Sequence, residues 1–229
     1  MPLKLSIVIP AFNEKRTIQQ LLEAVQAVPV KKEVVIVDDG STDGTREIIR
    51  QKFMGREGIQ VIFHEKNRGK GAAIRTGIAA STGDAIIIQD ADLEYDPMDY
   101  QFLINALEKS SVNVVFGSRF MGKKKVTPFW HRAVNYFLTW VANLLYLSQL
   151  TDMETCYKLY RSKTLKQLNL QSNGFEIEVE LAAKTLKSGE KIIEIPVSYK
   201  GRSYHEGKKI GWKDGFKAVY YLFHYRFSP

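Results

Sequence analysis

The alternation of apolar runs and amphipathic stretches in the first half constrains this chain more than any other feature. Five β-branched apolar runs each end in polar or glycine residues: KLSIVIPAF (4–12), EVVIVDDG (33–40), IQVIFHE (59–65), DAIIIQDAD (84–92) and VNVVFGSRF (112–120). Helical patterns fill the gaps at 14–28, 43–53, 70–81 and 97–109. Strands that are apolar throughout are buried on both faces, so the pattern predicts an α/β fold with a mostly parallel sheet covered by helices. In such sheets ligands bind beyond the carboxyl ends of the strands. The candidate chemistry therefore sits at Asn13-Glu14, Asp38-Asp39, Asp90-Ala91-Asp92 and Arg119.

The second half reads differently. A helix starting at Pro128 runs to about 148, and a short strand or loop, TDMETCYKLYR (151–161), follows. Then come a helix over 174–189, a strand over 191–200, a basic loop and a last helix from about 211. With 229 residues, no internal repeat and no linker-like stretch, one domain over 1–229 is the economical reading.

Charge divides the chain. Residues 1–118 carry 14 Lys/Arg against 16 Asp/Glu, whereas 119–229 carry 19 against 9, for a net +8 overall. An acidic, metal-binding half and a basic half facing anions or a membrane surface fit this split better than nucleic-acid binding does. The single cysteine, Cys156, excludes an internal disulfide framework and an all-cysteine metal site, and points to a reducing compartment. The N-terminus lacks the form of a signal peptide. The longest apolar stretch, residues 133–150, is interrupted by Asn135, Thr139, Asn143, Ser148 and Gln149 and falls short of the roughly 20 apolar residues of a membrane span. A cytoplasmic protein, peripheral on the membrane, is expected.

Particular residues narrow the chemistry. Asp90 and Asp92 flank a small residue at the end of a buried run, where two acids can hold a hard divalent cation that also binds phosphate oxygens. Solvated loop acids or helix caps before Pro97 are the plainer alternative. Asp38 and Asp39 are adjacent carboxylates at a strand end, followed by Gly40, Ser41 and Asp43, which suit a turn and a helix cap. A base or ribose contact would account for the acid pair. In KNRGKG (66–71), Lys70 opens a helix, an end that already favours anions, so a phosphate partner accounts for a cation there. Neither a Walker loop nor G-x-G-x-x-G is present, which disfavours P-loop and dinucleotide chemistry.

Taken together, IVIPAFNE, VDDGSTDGT, NRGKGAAIRTG and QDADLEYDP, in this order and spacing, resemble the nucleotide-sugar domain of glycosyltransferase family 2. GSRF (117–120), TDMETCYKLYR and GFEIEVEL are similar to the branch of dolichol-phosphate mannose synthases and polyprenyl-phosphate glucosyltransferases. The resemblance implies a GT-A-type, Rossmann-like sandwich, with a nucleotide-sugar-binding half (1–118) and an acceptor-binding half (119–229). It matches Pro10, Ala11, Asn13 and Glu14 to the first nucleotide loop, Asp38 and Asp39 to the nucleoside, and Lys70 to base and phosphates. Asp90, Ala91 and Asp92 match the diphosphate motif, with Asp90 and Asp92 as ligands of Mg2+ or Mn2+ and Asp92 counted among the catalytic residues. Arg119 and Arg202 match phosphate-contacting positions, and Asp152 matches a proposed base or acceptor-orienting group. A turn residue is the alternative for Asp152.

The implied reaction is an inverting transfer of a hexose from GDP-mannose or UDP-glucose to a polyprenyl or dolichyl phosphate. A lipid monophosphate needs positioning more than deprotonation, and Arg119, Arg132, Arg202, Lys208 and Lys209 are the candidates to supply it. Transfer to a saccharide or glycolipid hydroxyl, with Asp152 as base, is the enzymatic alternative; a non-catalytic nucleotide-sugar or anionic-lipid module is the other. Among the remaining residues, the four histidines and Cys156 read as structural, and most of the row Glu176, Glu178, Glu180 reads as solvated, with one member left as a candidate to face the cleft. Aromatic and basic residues together in 119–150 and in the C-terminal helix suit interfacial helices. A separate membrane protein receiving the product would be a further partner.

Overall fold

The structure is a computed structural model that describes residues 2–122, 129–201 and 212–228. Seven strands form one sheet in the order β3-β2-β1-β4-β6-β5-β7. They are β1 (Leu5–Ala11), β2 (Lys32–Asp38), β3 (Ile59–Phe63), β4 (Ala85–Ile88), β5 (Val114–Ser118), β6 (Lys158–Arg161) and β7 (Ile192–Pro196). All neighbours pair in parallel except β6, which runs antiparallel to both β4 and β5. Every residue of β1 and β4 is buried, as their unbroken apolar sequences require of central strands with helices on both faces.

The helices are α1 (Ile18–Ala27), α2 (Thr45–Lys52), α3 (Lys70–Ala80), α4 (Tyr100–Lys109), α5 (Phe129–Tyr146), α6 (Ser162–Gln167), α7 (Ile177–Lys187) and α8 (Trp212–Phe227). A short 3-10 turn at Pro97–Asp99 leads into α4. Helix α3 lies close against β1 because its inward face is made of small residues. A Cβ on Gly77 would stand 2.4 Å from Val8 Cγ1, closer than side-chain atoms approach.

The alternating first half folds as expected, with tighter limits. The run 84–92 is a strand only through Ile88, which leaves Gln89 to Asp92 as loop, and the helix expected over 14–28 begins at Ile18. The ambiguous segment 151–161 is a loop followed by β6. Because β6 inserts between β4 and β5, the second half of the chain completes the sheet begun by the first, over one main core. Helix α6 was not anticipated; it is only six residues long and polar.

From β1 the chain winds outward to β2 and β3, then returns across β1 to β4. The crevice between the carboxyl ends of β1 and β4 is therefore the topological switch point, where such sheets bind ligands.

Candidate active site

Three loops meet at that crevice and brace one another. Pro10 and Ala11 are the last residues of β1, with buried side chains. Asn13, in the left-handed region at φ 54°, donates its amide to Ser41 Oγ (3.0 Å), and its Oδ1 accepts from Thr42 N (2.9 Å). Glu14 N donates to Thr45 Oγ1 (2.9 Å), and Thr17 Oγ1 donates to the Ala91 carbonyl (2.7 Å). The loop after β1 is thus tied to the loops after β2 and β4.

Asp38 and Asp39 divide the work at the end of β2. Asp38 accepts from Arg46 Nε at 2.7 Å and is fully buried, with Oδ1 lacking a hydrogen-bond partner among the described residues. Asp39 organises the basic loop. Its carboxylate accepts from Gly69 N (2.8 Å) and Arg68 N (3.0 and 3.1 Å) and meets His64 Nδ1 at 2.6 Å. His64 Nε2 in turn lies 3.0 Å from Thr76 Oγ1 on α3. Gly69 can turn here because it has no Cβ: φ is +97°, and a Cβ would lie 2.2 Å from the Asn173 carbonyl oxygen. Both ring nitrogens of His64 are therefore engaged within the protein, bridging Asp39 and α3.

That loop delivers Lys70 to Asp90. Lys70 Nζ lies 2.7 Å from Asp90 Oδ1 and 3.1 Å from Glu178 Oε1. Burial works against the ammonium, but the two carboxylates outweigh it and hold the Lys70 pKa well above that of a free lysine. Burial likewise pushes Asp90 up, and Lys70 beside it brings the carboxyl below its ordinary value. The backbone at Asp90 is fixed from behind by Gln89, whose Nε2 donates to the Asp90 carbonyl (2.9 Å). The Gln89 Oε1 accepts from the hydroxyls of Tyr100 (2.5 Å) and Tyr157 (2.6 Å). Asp92 Oδ1 accepts from Glu94 N at 3.2 Å, and Leu93 between them is held at φ 60°. For a branched side chain that conformation costs on the order of 1–3 kcal/mol, a strain typical of functional loops.

Among the described residues no group of three or more His, Cys, Asp or Glu converges on a point that could hold a metal ion. Asp90 and Asp92 offer hard carboxylate oxygens only. Such a donor set suits a cation like Mg2+ or Mn2+ that takes its remaining ligands from phosphate and water.

Beyond β5, Arg119 and Asp152 form a buried pair. Arg119 Nε and Nη2 donate to Asp152 Oδ2 and Oδ1 at 2.7 Å each, and the Arg119 amide adds a third bond at 2.9 Å. The Asp152 loop is itself held by Glu194 on β7, which accepts from Thr151 N (2.7 Å) and Asp152 N (3.0 Å). Asp152 has no exposed surface. Both of its carboxylate oxygens are engaged by Arg119. The guanidinium lies over Tyr199 (5.1 Å) and Phe120 (5.5 Å), and Phe120 packs on Tyr136 of α5 (4.8 Å), beside which Arg132 sits. Arg119 and Arg132 are thus linked through two rings. Arg202, Lys208 and Lys209 lie outside the described residues.

Three residues absent from the sequence-based selection, Lys158, Glu178 and Glu180, are buried in the fold. Lys158, the first residue of β6, is fully buried and donates to Glu178 Oε2 at 2.7 Å and to the Thr155 carbonyl. Glu178 and Glu180, expected to be mostly solvated, are both buried on α7. Glu180 accepts from Gln171 N and Ser172 N at 2.8 Å each and pairs with Lys184 at 2.7 Å. Burial is possible because each acid meets cations or backbone amides. Glu154 is different: its Oε1 is buried without a hydrogen-bond partner among the described residues.

Comparison with known proteins agrees with this fold. The fold superposes on glucosyl-3-phosphoglycerate synthase from Mycobacterium tuberculosis in complex with Mn2+, UDP and phosphoglyceric acid. That match has a TM-score of 0.75 and 20% identity, over 99% of this chain and 80% of the other. The sequence is 30% identical over 227 residues to dodecaprenyl-phosphate galacturonate synthase of Rhizobium johnstonii, covering 95% of this chain and 64% of that protein. It is 27% identical over 215 residues to dolichol-phosphate mannosyltransferase of Pyrococcus furiosus, covering 91% and 60% respectively. The chain therefore spans somewhat less than two thirds of the length of these two relatives. An uncharacterized protein of Methanocaldococcus jannaschii is 33% identical over 211 residues, or 87% of this chain and 88% of the other. The model of glycosyl transferase family 2 matches residues 6–168, the stretch that builds the β1, β2 and β4 loops and the Arg119–Asp152 pair, and the chain belongs to that family.

Proposed function

We propose that this chain transfers a hexose, with inversion, from GDP-mannose or UDP-glucose to a polyprenyl or dolichyl phosphate. One observation carries the reading: the Lys70–Asp90 pair stands at the switch-point crevice, while a second cation, Arg119, is held in a fixed orientation beyond β5. A diphosphate leaving group and an anionic acceptor each need a cationic contact, and the two are separately built.

In this reading residues 1–118 receive the donor and residues 119–229 receive the acceptor. Pro10, Ala11, Asn13 and Glu14 line the nucleotide side with the Asp38–Asp39 loop, and Asp39 acts by holding the loop that carries Lys70. Asp90 and Asp92 would hold Mg2+ or Mn2+, which when bound neutralises charge on the departing diphosphate. Lys70 offers its ammonium to the same phosphates. Arg119, kept in its fork geometry by Asp152, binds two oxygens of the acceptor phosphate and aims the third at the anomeric carbon. Such an acceptor is already anionic near neutral pH, so no side chain has to remove a proton from it. The names of the two curated relatives, each a polyprenol-phosphate sugar enzyme, support this acceptor class.

The lipid substrate also gives a purpose to the apolar faces of α5 and α8. Among the described residues no helix is long and apolar enough to cross a membrane. Trp140 and Leu144 on α5, and Phe216 and Phe223 on α8, are nevertheless exposed. Peripheral contact with the cytoplasmic membrane face would cover them.

The test is transfer of label from GDP-mannose and UDP-glucose into an organic-extractable product, using undecaprenyl and dolichyl phosphate, with and without Mg2+ or Mn2+. Metal-dependent lipid label, absent in Asp92→Asn, is the expected result. Donor binding by calorimetry without lipid label would replace the acceptor by a hydroxyl compound, and no donor binding would sink the reading.

A further inference from the structure

Asp90, Lys70, Glu178 and Lys158 form a row of alternating charge. Its links are 2.7 Å from Asp90 to Lys70, 3.1 Å from Lys70 to Glu178 and 2.7 Å from Glu178 to Lys158. Four separate parts of the fold supply the members: the loop after β4, the start of α3, the first turn of α7 and the start of β6. Side-chain exposure falls along the row, from 23% at Asp90 through 14% at Lys70 and 8% at Glu178 to none at Lys158. The row is open at the crevice and sealed at its far end.

Lys70 has an anion on either side: Asp90 Oδ1 at 2.7 Å toward the crevice and Glu178 Oε1 at 3.1 Å deeper in the row. The second anion matters when a divalent cation takes Asp90. Lys70 then loses its nearer anion and is repelled by the new charge. An ammonium left in a buried place without a counter-charge is strongly disfavoured.

We infer that Glu178, backed by Lys158, is a positioning residue that retains Lys70 in the donor site when Asp90 turns to the metal. The ammonium then swings toward the incoming diphosphate instead of leaving for solvent. This rests on the roles proposed above for Lys70 and Asp90. Lys158 offsets the buried charge of Glu178 and, through its bond to the Thr155 carbonyl, fixes the sealed end of the row.

Glu178→Gln alone would leave Lys158 buried without its anion, so loss of folding could hide the effect. The informative variant is Glu178→Gln/Lys158→Met, which removes both charges and relieves that penalty. Calorimetric titration with UDP-glucose and GDP-mannose in the presence of MnCl2 reads donor affinity directly, and thermal unfolding reads the fold. The expected result is a melting temperature near that of the wild type with donor Kd raised at least tenfold. A Lys70→Met change added to this variant should weaken binding far less than it does in the wild type. A double variant that binds donor as tightly as the wild type would overturn the inference and leave Glu178 a packing residue. Failure of the wild type itself to bind either nucleotide sugar would overturn the underlying reading, and this one with it.

Discussion

Arg119 is gripped by Asp152 through three hydrogen bonds of 2.7, 2.7 and 2.9 Å, in a pair whose acid is wholly buried. A buried pair of this kind adds little net stability, yet removing one partner strands the other charge. Asp152→Asn should therefore destabilise the fold by about 3–5 kcal/mol. Arg119→Lys should lower turnover at least tenfold, because a lysine cannot reproduce the two-pronged contact. Urea denaturation of Asp152→Asn decides the first point. A cost below about 1 kcal/mol would mean the carboxylate is not holding the guanidinium. The same geometry complicates any test of Asp152 as a base, since its loss also releases Arg119.

Asp39 predicts a second effect, read by exchange. Its carboxylate accepts from the amides of Arg68 and Gly69 and from His64, so it sets the path of the loop leading to Lys70. A hydrogen bond to a charged group contributes about 1.5–3 kcal/mol, so Asp39→Ala should cost on the order of 3 kcal/mol. Amide hydrogen exchange at Arg68 and Gly69 should accelerate while exchange in β1 stays slow, and donor Kd should rise. Unchanged exchange at those two amides would show that the loop is ordered by something else.

These residues differ in how openly the sequence announced them. Asp38, Asp39, Asp90 and Asp92 stand where apolar runs stop, and a parallel sheet gathers its strand ends at one edge, so strand order alone brings them together. Lys158 gave no such signal. In TDMETCYKLYR it is one cation among aromatic and polar residues, and its burial depends on β6 inserting antiparallel between β4 and β5, a pairing set by residues far away in the chain. Glu178 and Glu180 misled for a related reason. Helical spacing assigns faces, and charged residues are assumed to face water, but α7 is buried on nearly all sides. Apart from the i,i+4 pairing of Glu180 with Lys184, their cationic and amide partners come from β6, α3 and the 171–172 segment, which local periodicity does not reveal. Arg119 was visible as a strand-end cation, whereas its dependence on Asp152 needed the fold.

Glu154 predicts a pH-dependent stability difference. Burial raises its carboxyl pKa; Lys158 and Arg119 oppose that, while Glu178 and Asp152 reinforce it. A carboxyl with a raised folded pKa favours the fold while protonated and burdens it once ionised. The burden begins as pH rises past the unfolded value, near 4.3, and is complete above the raised folded value. Glu154→Gln mimics the protonated form. Its melting temperature should equal that of the wild type at about pH 4 and exceed it at pH 8. Thermal unfolding of the two proteins across that range is sufficient. A constant difference would mean that Glu154 is paired, not stranded.

The helix pair α5–α8 carries the last prediction. The two helices are joined by the Tyr146 hydroxyl, which donates to the Leu222 carbonyl at 2.9 Å, and by Arg226 over the Tyr146 ring. Their outer surfaces expose Trp140 (60%), Leu144 (63%) and Phe216 (73%), with Lys217 and Arg226 exposed nearby. Apolar area of this kind is worth about 25 cal/mol per Å2 when removed from water, and basic residues add attraction to anionic headgroups that salt weakens. The protein should therefore float with phosphatidylglycerol vesicles, less well with phosphatidylcholine, and partly resist release by 1 M salt, where the Debye length is about 3 Å. Trp140→Glu combined with Phe223→Glu should abolish flotation and leave donor binding intact. Turnover should fall on vesicle-embedded polyprenyl phosphate but not on a short-chain, water-soluble analogue. Equal loss on both acceptors would place these residues in the active site, and undiminished flotation would move the membrane contact elsewhere on the molecule.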